Sequence, residues 1–155
     1  MIVNRSEREG DKPPEFQVPL IITLKAGEKF ILNRAVLSLS KSASIVIENK
    51  ASFLREKHIM KPEEVDTLAK KIYYYCQLAY LWDDKFDEYF PQIKAACLDF
   101  VKAAPSTHVL VGSIGAALVQ KDYFKLLKLA RRLIEVERRL LDVGSKPLSD
   151  RAEHT

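Results

Sequence analysis

The sequence predicts an α+β fold, a small N-terminal antiparallel β-sheet followed by about four α-helices. Three observations carry this. Up to about residue 57, apolar residues come in short β-branched runs separated by turn residues. After Lys61-Pro62-Glu63-Glu64 the apolar period becomes helical. The 155 residues, 47% hydrophobic and 30% charged, fit one compact domain or a small domain with a helical extension. That composition excludes wholesale disorder, and five Gly with seven Pro exclude collagen-like or linker-like character.

Residues 1–18 are polar, charged and carry Pro13-Pro14, so they are expected to form a mobile arm. The basic β unit is expected over 19–60. Leu20 to Lys25 is the first strand, and Ala26-Gly27-Glu28 turns the chain because glycine tolerates positive φ. Lys29 to Leu32 is the second strand, Asn33-Arg34 a second turn, and Ala35 to Leu39 the third strand. Ser40 to Ala43 is a polar break. Ile45-Val46-Ile47 begins a fourth strand, and Ser52-Phe53-Leu54 pairs as a fifth.

The helical region is expected over 61–143. Pro62 followed by two carboxylates signals a helix start. Val65, Leu68, Ala69, Ile72, Tyr75, Cys76 and Ala79 share one face of a helix ending near Leu81. Trp82 to Phe90 is acidic and aromatic. Pro91 starts or kinks a second helix running to Ala104. Ser106 or Thr107 caps a third, to about Val119. The fourth runs from Tyr123 to about Asp142, ended by Gly144 and Pro147, and 144–155 is a frayed tail.

The net charge of +4 is unevenly spread. Residues 19–61 carry eight Lys and Arg against three Glu, while residues 62–104 carry five Lys against eight acids. In the last helix Lys121, Lys125, Lys128, Arg132 and Arg139 fall on one side, opposite Leu126, Leu127, Ala130, Leu133 and Ile134. This stripe reads either as a phosphate-binding surface or, preferably, as a solvated face with Glu135 bridging Arg131 and Arg139. Glu137 falls within the apolar face and calls for a partner, a Lys or Arg of a neighbouring element.

Catalytic chemistry finds no support. His58, His108 and His154 share no metal-ligand spacing, and neither a phosphate loop nor a dinucleotide fingerprint is present. Gly112-Ser113-Ile114-Gly115 lacks nearby cations and reads as close helix packing through small residues. The expectation is a non-enzyme with no catalytic residue, metal or cofactor. Cys76 and Cys97 read as apolar core thiols. Without an apolar leader or a membrane-length apolar run, the expected location is the cytoplasm.

Single-stranded RNA is held by cations on phosphates and by aromatic or backbone groups on unstacked bases. Two places suit this chemistry: the sheet edge with Lys25, Lys29, Lys50, Arg55 and Lys57, and an outward cluster of Lys70, Tyr74 and Gln77 on the first helix. Tyr73 and Tyr80 flank that helix's core face and are expected to be half-buried.

The blocks Leu24-Lys25-Ala26-Gly27-Glu28-Lys29, Asn33-Arg34-Ala35-Val36, Ile47-Glu48-Asn49-Lys50-Ala51 and Leu54-Arg55-Glu56 resemble the FlbT family of flagellum biosynthesis repressors. So do Thr67 to Tyr73, Gln77-Leu78, Leu126-Leu127-Lys128 and Arg131-Arg132-Leu133-Ile134 with Glu137. The resemblance spans about residues 19–141. It implies a post-transcriptional repressor that binds the 5′ leader of flagellin mRNA, lowers translation and promotes decay of the message. It also implies the flagellar regulator FlaF as a functional counterpart. Three positions depart from the family: Arg34 and Lys121 or Asp122 stand where glycine is usual, and Leu68 where proline is common. A shorter similarity, Leu20 to Glu28 with Leu54-Arg55-Glu56, is to the carbon storage regulator family. It implies Lys25 and Arg55 as RNA-facing residues and a homodimer through the sheet. Two other readings stay open: a protein–protein adaptor in flagellar assembly, and a translational activator of flagellin.

Overall fold

The computed structural model describes residues 19–145. The expected arm (1–18) and most of the expected tail (146–155), with Pro147 and His154, lie outside the described residues. Five antiparallel strands precede four α-helices, an α+β architecture. The chain divides between His58 and Ile59 into two compact units.

The β unit holds β1 (Leu20–Leu24), β2 (Lys29–Leu32), β3 (Ala35–Ser38), β4 (Ala43–Ile47) and β5 (Phe53–Arg55). They form two ladders rather than one sheet, β1-β4 and β3-β2-β5. The reason lies at Gly27. Its φ of 81° turns the chain, and its amide donates to the Leu39 carbonyl (2.9 Å), so β2 leaves β1 and pairs with β3. From Ile21 to Leu24 burial alternates: Ile22 and Leu24 face the core, while Ile21 and Thr23 face out. Thr23 and Ser44, directly opposite, share a hydroxyl hydrogen bond of 3.0 Å. Ile22, Leu24 and Phe30 are the buried centre, padded by Leu32, Leu39, Ile45, Ile47 and Phe53.

Asn33 and Arg34 join β2 to β3 as a two-residue hairpin turn with φ of 49° and 72°. This is the left-handed pair that a twisted hairpin demands, which explains why glycine suits position 34 and why Arg34 is strained there.

The helical unit contains α1 (Leu68–Leu81), α2 (Phe86–Ala103), α3 (His108–Val119) and α4 (Tyr123–Ser145). α1 packs on α2 and α4, and α3 on α4 and α2. Ile72, Cys76, Ile93, Phe100, Ile114, Leu126 and Leu133 meet in its core.

Several expected boundaries move. Pro62 opens only a single 3-10 turn, Pro62–Glu64. α1 starts at Leu68, because the Thr67 side chain accepts from the Lys70 amide and caps it (3.2 Å). Leu68 is thus the first helical residue, the position where proline is well tolerated. α2 begins at Phe86, with Pro91 inside it. Asp83, Asp84, Asp87 and Glu88 explain this start, since carboxylates favour the positive end of a helix. Neither Ser106 nor Thr107 caps α3 through its side chain; the Thr107 hydroxyl donates back to the Ala104 carbonyl (2.6 Å).

At the end of α3, the Asp122 amide donates to Ala117 and the Lys121 amide to Leu118, both at 3.0 Å. This is a Schellman cap, whose left-handed position is held by Lys121 at φ 55° instead of glycine. Gly144 does not end α4, which runs to Ser145. Among the described residues no helix is long and apolar enough to cross a membrane.

Candidate nucleic-acid interface

The ladder registers place the basic residues of the β unit. Leu24 pairs with Ala43, and the Ala26 amide donates to Ser42 Oγ (3.1 Å), so the turn after β1 abuts the loop before β4. Phe30 pairs with Arg55, so Lys29 neighbours Glu56 and Lys57. One end of the unit therefore gathers Lys25, Lys29, Arg55 and Lys57. Lys50 belongs to the other end, because the Ser52 amide donates to Asn33 Oδ1 (3.0 Å) and anchors its loop beside the β2–β3 turn. β2 separates the two ends by roughly 13 Å.

The same registers add a residue that the sequence reading missed. Lys41 lies in the loop that meets Ala26, and so joins the Lys25 end. The signal was the β1–β4 register, which brings residues 41–42 to 25–26 only once those strands are known to pair.

Two carboxylates sit among these cations, and both accept from backbone amides. Glu28 accepts from the Lys25 amide (3.1 Å), and Glu56 from the Lys29 amide (2.8 Å). The Lys25 amide bond, countered by desolvation and helped by the Arg55 charge, holds the Glu28 carboxyl below its ordinary value of 4.5. Arg55 differs from the lysines. Its Nη2 donates to the Thr23 carbonyl (2.7 Å), and its buried Nε lies 3.5 Å from Glu28 Oε2, long for a hydrogen bond. Its guanidinium thus ties β5 to β1. Lys25, Lys29, Lys41, Lys50 and Lys57 are exposed and make no ion pair among the described residues.

The cluster expected on α1 does not exist as an open surface. Gln77 is only 4% exposed, its Oε1 accepting from the Met60 amide (2.8 Å) and its Nε2 donating to the Met60 carbonyl (2.9 Å). Lys70 is paired with Asp66 at 3.0 Å. Tyr73 is buried rather than half-buried, with the Arg131 guanidinium over its ring at 6.0 Å; burial pushes its phenol up against the opposing effect of Arg131.

α4 also corrects expectations. Among the described residues Glu137 pairs with no Lys or Arg; its Oε2 accepts from the Ala69 amide (3.1 Å) and closes the N-terminus of α1. Glu135 pairs with Arg138 instead of Arg131 or Arg139. Lys121 lies before α4, 3.6 Å from Asp83 and 4.4 Å from the Phe86 ring centre, so it leaves the cationic stripe. Lys125, Lys128, Arg132 and Arg139 keep that stripe exposed. Gly112 and Gly115 do not mediate close packing, since a Cβ at either would meet nothing within 4 Å. Cys76 and Cys97 are buried free thiols; desolvation raises Cys76 and pushes Cys97 up to about 11.

Fold and surface together define an α+β protein whose β unit concentrates exposed lysines at one end. Comparison with known proteins places it among bacterial flagellar proteins: the family model for flagellar protein FlbT matches residues 20–141. The flagellum biosynthesis repressor protein FlbT of Caulobacter vibrioides is 36% identical over 123 residues, covering 77% of this chain and 87% of that protein. Probable flagellum biosynthesis repressors FlbT of Caulobacter sp. and Bradyrhizobium diazoefficiens are 34% and 31% identical, covering 77% and 78% of this chain and 94% and 84% of theirs. The chain belongs to the FlbT family. No solved structure matches it significantly.

Proposed function

We propose that the chain represses flagellum biosynthesis after transcription, by binding the 5′ leader of flagellin mRNA, lowering its translation and promoting its decay. The carrying observation is the group of exposed lysines, Lys25, Lys29, Lys41 and Lys57, at one end of the β unit, which make no ion pair among the described residues. The names of the relatives support the direction of the effect. Lys25, Lys29 and Lys57 contact phosphates, and Lys50 contacts RNA that continues toward the opposite end. Arg55 contributes its charge while tying β1 to β5. The reading assigns no reaction and no cofactor. FlaF is its functional counterpart, and the sheet is the proposed place of homodimerisation.

The test is binding of a flagellin leader RNA to the full chain across a salt series. Each phosphate contact on a single strand adds about −0.7 to the slope of log affinity against log salt. Replacing Lys25, Lys29 and Lys57 with glutamine should flatten that slope by about two units. Replacing Arg132 and Arg139 on α4 should leave it nearly unchanged. A salt-insensitive affinity defeats the proposal, and equal affinity for unrelated RNA defeats its leader specificity.

A further inference from the structure

α3 reads His-Val-Leu-Val-Gly-Ser-Ile-Gly-Ala-Ala-Leu-Val and contains no Asp, Glu, Lys or Arg. A helix apolar all round is normally buried all round. Here only one side is covered, by Val111, Ile114, Ala117 and Leu118 in the core. Val109 and Val119 are 69% and 68% exposed, and Leu98 of α2 is 55% exposed. Between Leu98 and Val119 runs a cleft of about 520 Å³, with α2 on one wall and α3 on the other. Gly112 and Gly115 line its α3 side and leave it open, because a Cβ at either would meet no atom within 4 Å.

The charge around the cleft is one-sided. Among the described residues, Lys94 is the charged side chain that lines it, and no carboxylate does. An apolar floor excludes a phosphate backbone, whose charges cost too much to desolvate. A second copy offering this same face brings a second Lys94 and no carboxylate to meet it. An aliphatic cleft with exposed aliphatic shoulders matches the recognition of an amphipathic helix laid in a groove.

We propose that the α2–α3 groove docks an acidic amphipathic helix of a partner protein. The apolar face of that helix seats against Gly112 and Gly115, and a carboxylate on its flank meets Lys94. The surface belongs wholly to the helical unit.

The experiment uses the full chain and a fluorescently labelled model helix of about five turns, with leucines at i, i+3, i+4 and i+7 and glutamates elsewhere. A twin carries lysine for glutamate. Anisotropy should show saturable binding of the acidic helix and at least about tenfold weaker binding of its twin. Gly115→Leu puts a side chain into the groove with a Cβ that meets nothing within 4 Å, so it should abolish binding while helical circular dichroism stays intact. Lys94→Glu should reverse the preference between the two helices. The proposal is overturned by equal binding of the twins, by no binding, or by undiminished binding to Gly115→Leu. It is equally overturned if sedimentation shows a dimer that Gly115→Leu dissolves, which gives the face to a second copy. Loss of RNA binding in Gly115→Leu overturns it as well, giving the face to nucleic acid.

Discussion

In the helical unit Lys70 is paired with Asp66, Lys121 with Asp83 and the Phe86 ring, Arg131 with Tyr73, and Arg138 with Glu135. In the β unit Arg55 is comparably engaged, while five lysines face solvent at its two ends; the exposed cations of the helical unit, Lys125, Lys128, Arg132 and Arg139, are strung along α4 instead. The apolar interiors contrast in the same direction. The β unit centres on Ile22, Leu24 and Phe30, whereas four helices share a core that reaches from Ile72 to Leu133. Charge spent on intramolecular pairs steadies a fold but is no longer free for a polyanion. Small units with thin cores have little reserve of stability, so each buried side chain in them counts for more.

The largest expected effect sets the two cores against each other. Leu24 and Ile72 are both completely buried. Truncating either to alanine should cost about 2–5 kcal/mol. Ile72→Ala should lower the thermal midpoint of the helical signal. Leu24→Ala should open the β unit to hydrogen exchange while that helical signal keeps its midpoint. If Leu24→Ala lowers the helical midpoint as far as Ile72→Ala does, the two units unfold as one and the contrast fails.

A smaller effect concerns Gln77, which belongs to the tightly paired side of the contrast. Gln77→Ala removes both hydrogen bonds to Met60 and leaves that residue's amide and carbonyl without their partner. The expected loss is about 1–3 kcal/mol in chemical unfolding of the helical unit. A neutral result would mean that water replaces the amide at no cost, and that this interior is looser than its pairing indicates.

Gln77 also shows where sequence reasoning stops. The helical period placed it on the outer side of α1 with Lys70 and Tyr74, because a wheel records only one helix and cannot register the segment around Met60 that covers it. Strands and helix types were legible because each rests on local periodicity and local turn chemistry. The three departures from the family were legible as departures, but only the structure shows what they share, a special backbone position: the hairpin turn at Arg34, the first helical residue at Leu68 and the cap at Lys121. The division into two ladders was not, since it depends on which strand β2 chooses. The same blind spot hid Lys41 and put Lys50 in one group with Lys25.

The smallest effect tests whether the cationic end is also poised by its carboxylates. Glu28 is held below its ordinary value of 4.5, first by the Lys25 amide, with desolvation opposing and Arg55 assisting. A carboxyl with a lowered folded-state value stabilises the fold above its unfolded value, and that contribution is lost as pH falls through the folded one. Glu28→Gln keeps an acceptor for the Lys25 amide but removes the charge beside Arg55. The variant should therefore be less stable than the parent at neutral pH, with the two converging as the pH drops below 4.5. Urea unfolding followed at the β-unit amides measures the difference. The same substitution also frees Arg55 from a counter-charge, so binding of the leader RNA should tighten slightly while stability falls. A difference in stability that persists unchanged into acid would show that the side-chain shape of Glu28, and not its charge, holds the turn.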